Sequence, residues 1–509
     1  ARAVQTHFRP NRQEKQEAMS KTGGFSERET AAIDRAAEAA RRAWSAPGLA
    51  VAVVRDGEAL LRVFGLRDLG GAEPVTPDTV FALASVSKAF TTTAIAMLVD
   101  EKKLAWDEPV RTYLPWFRLR DPAADACVTL RDLVCHRSGM PRHDTLWYAQ
   151  DWTREETVRR YCAAPHSTSF RSTYEYANIP FMAAALALEA VTGKSWEQFV
   201  QQRIFRPLGM KTACIDVRAA QKLPDHASPH EKYRGKLAVL PWLDMCAEAP
   251  CGGIIASASD MSRWMEFQLG EGEFRGKRLI SKEAFLETHK PCVVIPAENP
   301  DKHGFDFGVN ISSYCPGWNL HDYRGLTVLD HGGLIDGFTS AATLVKREGL
   351  AVAVLCNLSG GTVVHAATRG IVDALLGLPG WNWPKLFKAR ARAEREEERK
   401  KKAEERAKNP RLRGTRPSLP LEAYAGDYDD AAYGRFSVAL QDGRLVFTYG
   451  LVKLPMKHYH LDTFSFKKDE PGWVSEGKAQ FLLNPAGQVT GLRAEGMINC
   501  EFRRVAEAK

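Results

Sequence analysis

The sequence predicts a mixed α/β protein of the α+β type, in which helices flank an antiparallel sheet and a small antiparallel β-barrel follows at the C-terminus. Two observations lead to this fold class. Apolar strand-like runs occur near both ends of the first 380 residues, around a helical middle, so one sheet must be assembled from distant segments with an inserted helical subdomain. After residue 418, short alternating runs recur at even spacing, which is typical of a small barrel.

The domain organisation follows from length and composition. With 509 residues, the chain is too long for a single core. We expect a flexible polar segment, a mixed domain that contains the sheet, a charged helical linker and the barrel, over residues 1–24, 25–380, 381–417 and 418–509.

The mixed domain should begin with a helix and a hairpin. A capping-box sequence at Ser26 starts an amphipathic helix. Alternating runs over 49–54 and 59–64 flank Asp56-Gly57, a residue pair that predicts a hairpin turn. Near the other end of the domain, apolar periodicity predicts two paired strands and a closing helix, over residues 338–345, 350–357 and 363–376.

A buried helix is predicted from Ser85 to Lys102, because this run has a small polar start, no glycine or proline, and apolar residues around its circumference. Ser85 and Lys88 lie three residues apart and therefore share one helical face. There the lysine amine can take the proton of the serine hydroxyl and make it a nucleophile. Most chance matches to this spacing are cap serines with an unrelated lysine, so partners must be found elsewhere in the chain.

The net charge of +8 does not indicate a nucleic-acid-binding protein. Between Lys388 and Arg413 there is a local excess of six positive charges, so the rest of the chain is close to neutral. Positive charge is not spread over a groove-binding face, and we expect no nucleic acid as partner. The charged run is interpreted as a solvated linker helix, with docking of an acidic partner as the alternative.

No apolar run reaches the roughly 18 residues needed to span a bilayer, and no secretory signal peptide is visible. The ten cysteines lack metal-binding spacing and favour a reducing, cytoplasmic compartment. We expect no cofactor and no metal. One triplet, His458, His460 and Asp462, can be read as a metal site on one strand face, although polar side chains that shape the barrel are the favoured interpretation.

Tyr176 and Asn178 form the one Tyr-x-Asn sequence in the chain, in a polar approach to an apolar helix-like run. A phenol near an ammonium loses its proton more readily, so Tyr176 could act as base toward a serine. The Asn178 amide offers a donor and an acceptor, which suits a substrate amide. A turn in which Asn178 caps the next helix is the alternative.

His331, Gly332 and Gly333 directly precede the predicted strand pair. Two glycines would let the main chain of a substrate approach closely. A histidine at this place could donate a proton near neutral pH. The alternative is an ordinary glycine turn that enters a strand.

The three motifs together resemble, in order and spacing, those of the serine β-lactamase and penicillin-binding-protein superfamily, and most closely its class C β-lactamase and D-aminopeptidase group. The motifs are Ser85-Val86-Ser87-Lys88, Tyr176-Ala177-Asn178 and His331-Gly332-Gly333. The resemblance covers roughly residues 25–378 and implies a β-lactamase/transpeptidase-like fold for the mixed domain. The tail is similar to the small β-domain often fused to such hydrolases. Because the family is often exported, the resemblance leaves the compartment open.

By that resemblance, Ser85 is the nucleophile, and Lys88 and Tyr176 are its proton-transfer partners, with the base unassigned between them. The backbone N–H groups of Ser85 and Leu334 form the oxyanion hole. Acylation of Ser85 is followed by hydrolysis. The residues implied in substrate binding are Asn178, His331, Gly332 and Gly333.

One departure from the family pattern bears on the substrate. The literal β-lactamase motif is Lys-Thr-Gly, where this chain has His331-Gly332-Gly333. A permanent ammonium suits a β-lactam carboxylate better than a mostly neutral imidazole does. We therefore predict cleavage of amide, peptide or ester bonds in small-molecule or peptide substrates. A true β-lactamase or penicillin-binding enzyme and a catalytically inert binding protein are the alternatives, and the oligomeric state stays open.

Overall fold

The structure is a computed structural model, and it describes residues 24–296, 307, 309–468, 470–472, 476–496 and 498–506. The predicted flexible segment, 1–24, lies outside the described residues except for Gly24.

Antiparallel strands near the two ends of the mixed domain come together in one main sheet. Within the described residues this sheet has eight strands, in the order β2-β1-β14-β13-β12-β11-β10-β9, and three further strand pairs are small. The strands are β1 (Gly48–Arg55), β2 (Glu58–Gly65), β3 (Phe81–Ala82), β4 (His230–Tyr233), β5 (Lys236–Val239), β6 (Ile255–Ala256), β7 (Glu273–Phe274), β8 (Lys277–Arg278), β9 (Val293–Val294), β10 (Ser312–Cys315), β11 (Trp318–Tyr323), β12 (Leu326–Ile335), β13 (Phe338–Val345) and β14 (Leu350–Cys356).

Helices cover both faces of this sheet and fill the middle of the chain. They are α1 (Glu27–Trp44), α2 (Ser87–Asp100), α3 (Pro122–Cys127), α4 (Leu130–Val134), α5 (Arg154–Ala163), α6 (Ile179–Thr192), α7 (Trp196–Val200), which continues through a π turn into α8 (Arg206–Leu208), α9 (Val217–Lys222), α10 (Ala249–Gly252), α11 (Ala258–Leu269), α12 (Lys282–Glu287), α13 (Val363–Leu375) and α14 (Trp383–Lys408).

The two faces of the sheet bury different cores, as β1 shows. Val51 and Val53 pack in the core formed with α1 and α13. Ala50 and Ala52 belong to the core that contains α2 and α11. Because both faces are covered, β1 is apolar at successive positions instead of alternating with polar residues. The helix α2, which is buried on nearly all sides, therefore lies between the sheet and the helical subdomain.

The helix predicted to start at Ser85 starts two residues later in the structure. Ala84–Val86 form a 3₁₀ turn, and the α-helix begins only at Ser87. Ser85 is thus on the tight turn that enters α2, and the three-residue spacing to Lys88 still brings both side chains to one side. The capping box at Ser26 and the hairpin around Asp56-Gly57 are confirmed.

The C-terminal strands close into a barrel, which confirms the predicted fold class. The barrel strands are β15 (Gly426–Asp430), β16 (Gly434–Gln441), β17 (Arg444–Tyr449), β18 (Val452–His460), β19 (Thr463–Lys467), β20 (Glu476–Leu483), β21 (Val489–Gly496) and β22 (Cys500–Arg504). Six of these strands contain the alternating runs that predicted the barrel, and β15 and β19 are two further strands.

The charged segment before the barrel is helical, as predicted, and it begins earlier than Lys388. Trp383 and Phe387 in the first turns of α14 are buried, whereas the charged remainder is almost entirely exposed. The boundaries 25–380, 381–417 and 418–509 stay predictions. Among the described residues, none of the helices combines the length and the apolar character that a membrane crossing requires.

Candidate active site

Ser85 is held by a turn that is fixed on both sides. Ala84 has a φ of 46°, in the left-handed region that residues other than glycine rarely adopt. The Leu83 N–H donates to the carbonyl of Ile254 at 2.8 Å, and the Leu83 carbonyl accepts from Ser340 Oγ at 2.6 Å. The position of the Ser85 hydroxyl is therefore set by strands that are distant in sequence.

Lys88 is fully buried and has an acceptor for each of its three ammonium protons. Its Nζ lies 3.0 Å from Ser85 Oγ, 2.7 Å from Asn178 Oδ1 and 2.9 Å from the carbonyl oxygen of Cys251. Burial of an ammonium is costly unless the charge is hydrogen-bonded. These contacts, together with two aromatic rings whose centroids lie 5.0 and 5.3 Å from Nζ, offset that cost.

Tyr176 reaches the same serine from the loop that precedes α6. Its hydroxyl donates to Ser85 Oγ at 2.9 Å. The structure therefore brings Ser85, Lys88 and Tyr176 together, although 91 residues separate the serine from the tyrosine. Both Lys88 and Tyr176 are within hydrogen-bonding distance of the serine oxygen, so the distances do not distinguish the base.

His136, to which the sequence analysis assigned no role, supports Tyr176. Its ring centroid lies 4.4 Å from that of Tyr176, and its Nδ1 accepts from the N–H of Ala177 at 3.2 Å. Burial, and then the positive charge of Lys88, hold the pKa of His136 well below its usual value. A neutral ring with an unprotonated Nδ1 therefore fixes the Tyr176 loop.

Asn178 is engaged by the protein at both ends of its amide. Oδ1 accepts from Lys88, and Nδ2 donates to Asp144 Oδ1 at 2.8 Å. Each end of the amide has a second N–H or lone pair in addition to these contacts, and Asn178 lines the cleft, so its role in substrate binding stays a prediction. The capping alternative does not fit, since Asn178 makes no side-chain cap at α6.

His331 lies inside β12, not in a turn before the strand pair, and it is buried. Nδ1 lies 2.7 Å from the carbonyl oxygen of Gly332, so it carries the proton, and Nε2 accepts from the hydroxyl of Tyr314 at 3.0 Å. Burial, with the charge of Lys88 as the second cause, lowers the pKa of His331 to about 3. The prediction that it donates a proton near neutral pH is wrong, because the ring is neutral there. His331 is not among the described residues that line the cleft.

The two glycines serve the packing of β12 more than the approach of a substrate. A Cβ at Gly333 would lie 2.1 Å from the carbonyl oxygen of Leu83, so only glycine lets β12 pass this close to the nucleophile turn. A Cβ at Gly332 would meet the His365 ring at 3.0 Å. Leu334, whose N–H was predicted to face the oxyanion, lines the cleft together with Ser85.

A cleft with about 1060 Å³ of open space surrounds Ser85. Its lining includes two carboxylates: Asp336 accepts from the Tyr148 hydroxyl at 2.7 Å, and Glu231 accepts from the Gly472 N–H at 2.7 Å. Gly472 lies between β19 and β20, so the barrel contributes to the cleft. Residues from the helical subdomain also line it, namely Arg142, Asp144, Trp147, Tyr148 and Asn178.

The triplet in the barrel has structural partners. The pairing register of β18 with β19 shifts between His458 and His460, and Asp462 lies in the turn after β18. The three side chains therefore do not share one strand face. His460 accepts from the Leu412 N–H at 3.2 Å, and Asp462 accepts from Ser418 at 2.8 Å. No described group of three or more His, Cys, Asp or Glu side chains is arranged to hold a metal ion. These contacts fasten the chain before the barrel onto β18.

Comparison with protein families assigns two segments of the chain. Residues 33–376 match the family described as Beta-lactamase. Residues 410–506 match a domain of unknown function, DUF3471.

Curated relatives include hydrolases. The chain is 26% identical over 501 residues to "Unguisins hydrolase ungD" of Aspergillus violaceofuscus, covering 88% of this chain and 84% of the relative. It is 28% identical over 331 residues to a D-aminopeptidase of Brucella anthropi, covering 62% of this chain and 57% of the relative.

Solved structures share the fold. A penicillin-binding protein homologue from Pyrococcus abyssi has a TM-score of 0.60 at 20% identity and covers 93% of this chain and 99% of its own. The D-amino acid amidase from Ochrobactrum anthropi SV3 has a TM-score of 0.58 at 22% identity, with coverage of 69% and 99%.

Proposed function

The chain belongs to the beta-lactamase family and is an enzyme of the serine hydrolase type, and we propose that it cleaves amide, peptide or ester bonds of small substrates through an acyl-enzyme on Ser85. One observation supports this most: Ser85 Oγ lies 3.0 Å from Lys88 Nζ and 2.9 Å from the Tyr176 hydroxyl. A nucleophile with two proton-transfer groups in reach is the arrangement that acyl transfer requires. The complete set of Ser85, Lys88 and Tyr176 argues against a catalytically inert protein.

The reaction begins with attack of Ser85 Oγ on the carbonyl carbon of the substrate. Lys88 or Tyr176 first loses to solvent the proton that it donates to Ser85 Oγ, and the Ser85 hydroxyl proton then passes to that group as the new C–O bond forms. The backbone N–H groups of Ser85 and Leu334 stabilise the oxyanion. When the oxyanion collapses, the proton goes to the leaving amine or alcohol. Water then attacks the acyl carbonyl by the same route, the proton of the water returns to Ser85 Oγ, and the acid is released.

The charges of the cleft favour neutral or cationic substrates over anionic ones. His331 is neutral and buried, so it provides no charge for a carboxylate. Arg142 is ion-paired with Asp144. Glu231 and Asp336 place negative charge in the lining of the cleft, which opposes a β-lactam carboxylate and attracts an ammonium. We infer that substrates with a free amino group are preferred, in line with the names of the D-aminopeptidase and amidase to which the chain is similar.

A fluorophosphonate probe tests the nucleophile. We expect a single adduct on Ser85 by intact mass and peptide mapping, because an activated serine attacks the phosphorus centre. Ser85→Ala should lose the adduct and about a millionfold in kcat. Folded wild-type protein that forms no adduct would support the inert alternative.

A substrate panel tests the specificity. It compares p-nitrophenyl esters, the p-nitroanilides of D- and L-amino acids with free and N-acetylated amines, and nitrocefin. We expect higher kcat/KM for the free-amine anilides than for their acetylated counterparts, since acetylation removes the charge that Glu231 and Asp336 attract. A dominant rate on nitrocefin would overturn the substrate preference.

A further inference from the structure

Residues 142–150, here called the cleft wall, lie between the catalytic cleft and one part of the barrel. On one side, Arg142, Asp144, Trp147 and Tyr148 line the cleft. On the other side, the wall meets the barrel through three hydrogen bonds, which join His143 to the Tyr433 hydroxyl, the Thr145 carbonyl to the Tyr449 hydroxyl, and the Ala149 carbonyl to the Leu451 N–H. The wall is therefore supported by barrel residues that are about 300 residues away in sequence.

Asp144 is the buried carboxylate of this wall. Its Oδ1 accepts from Asn178 Nδ2 and from Trp147 Nε1, both at 2.8 Å, and its Oδ2 accepts from Arg142. These three donors hold the carboxylate in one orientation. All three donors are side chains that lie beside or within the cleft wall.

The chemistry of the carboxylate decides how the Asn178 amide is turned. An ionised carboxylate can only accept hydrogen bonds, so Asn178 must present its NH₂ group to Asp144. Its carbonyl oxygen then faces Lys88, where it lies 2.7 Å from Nζ. If the amide were flipped, NH₂ donors would point at the ammonium, and two carbonyl-type acceptors would face each other at Asp144.

We propose that Asp144 is a positioning residue for the catalytic lysine: it fixes the Asn178 amide so that the carbonyl holds Lys88 against Ser85. This inference rests on the proposed function of Ser85 and Lys88. The barrel takes part indirectly, because it braces the wall that carries Asp144.

Four variants test the proposal. Asp144→Leu removes the acceptor and frees the amide to flip, so kcat/KM should fall about tenfold or more. Asp144→Asn can keep an oxygen toward Asn178 and should lose less. Asn178→Asp places two carboxylates against each other and should also fall about tenfold or more. The double variant Asp144→Asn/Asn178→Asp restores a donor opposite an acceptor and should recover part of the loss caused by Asn178→Asp. The recovery is incomplete because the new NH₂ group also faces the Trp147 Nε1–H, which donates to Asp144 Oδ1 in wild type.

The kcat/KM recovered by the double variant is the decisive measurement. If Asp144 only stabilised the fold, the losses of the Asp144→Asn and Asn178→Asp variants would multiply in the double variant. Each variant is measured on the same p-nitrophenyl ester, with thermal unfolding as the folding check and the exposed Asp151→Asn as the matched control. A double variant no faster than Asn178→Asp, or an Asp144→Leu variant as fast as wild type, overturns the proposal. If folded wild-type protein is not labelled at Ser85 by the fluorophosphonate probe, the proposed function is wrong, and this inference, which depends on it, is wrong as well.

Discussion

Burial decides what individual side chains of this enzyme can do. His331 shares its motif with two glycines beside the nucleophile turn, yet its pKa is lowered to about 3 because the ring is buried. His289, outside the active site, is buried in the same way, and its pKa is also lowered to about 3. A histidine in this state is neutral in the folded protein and charged in the unfolded chain at mildly acidic pH.

The contribution of these histidines to the free energy of unfolding should therefore fall between pH 6.5 and pH 3. For a histidine whose folded pKa is depressed, the unfolded chain binds more protons in this window, so stability is full above the unfolded pKa and is lost as the pH falls. The loss approaches about 1.4 kcal/mol per pH unit for each such group. His289→Gln should make the decrease shallower than in wild type when urea unfolding is compared at pH 7 and pH 5.

The experiment compares wild type with His289→Gln in how much the free energy of unfolding changes between pH 7 and pH 5. The wild-type change alone does not test the prediction. Glu248 and Asp330 are buried carboxyls whose pKa values are raised to about 8 and about 7, so they oppose the histidines over part of the same range. Both carboxyls are present in wild type and in His289→Gln, so their contributions cancel when the pH-dependent changes of the two proteins are subtracted. Equal slopes for wild type and His289→Gln would show that this ring is not neutral in the folded state.

At the level of the element, β12 shows why one strand can position a nucleophile. Successive residues of a strand face opposite sides, so His331 and Gly333 face the nucleophile turn, whereas Gly332 faces α13. The carbonyl of Leu83 occupies the place that a side chain at 333 would need. Leu334, the next residue of β12, lines the cleft.

Gly333→Ala should lower kcat about a hundredfold or more, because a Cβ would lie 2.1 Å from the Leu83 carbonyl oxygen and would push β12 away from the turn. A displacement near 1 Å at the reacting groups costs about this factor. Gly332→Ala is the matched control, since its Cβ meets only the edge of the His365 ring at 3.0 Å, and it should lose less than tenfold. Similar losses in kcat for the two variants would argue against this role of β12.

The whole molecule behaves as one unit at the cleft, because the barrel supports the cleft wall and places Gly472 at its mouth. Two barrel tyrosines allow this coupling to be tested. Tyr433 is hydrogen-bonded to His143 in the wall, whereas Tyr428 donates to the carbonyl of Tyr424 within the barrel region at 2.7 Å. Both are buried.

Tyr433→Phe should lower kcat/KM several-fold, because the wall loses one of its hydrogen bonds to the barrel. Tyr428→Phe should leave kcat/KM unchanged. Each should lower the free energy of unfolding by about 1 kcal/mol, the usual effect of losing one hydrogen bond. If the two variants change activity equally, the barrel does not act through the wall.

The elements of this chain could be predicted from its sequence, because they depend on neighbours within a few residues. The capping box at Ser26 and the hairpin turn at Asp56-Gly57 are local signals, and the structure follows them. The spacing of Ser85 and Lys88 placed a nucleophile beside an amine for the same reason. Order and spacing of the three motifs then led to the family.

The states of the site residues could not be predicted in this way. Whether His331 carries charge depends on what covers it, and whether the Asn178 amide can meet a substrate depends on Asp144, which no motif contains. The brace from the barrel to the cleft wall likewise joins segments almost 300 residues apart. Protonation and amide orientation are set by burial and by contacts between distant segments, and only the packed chain contains that information.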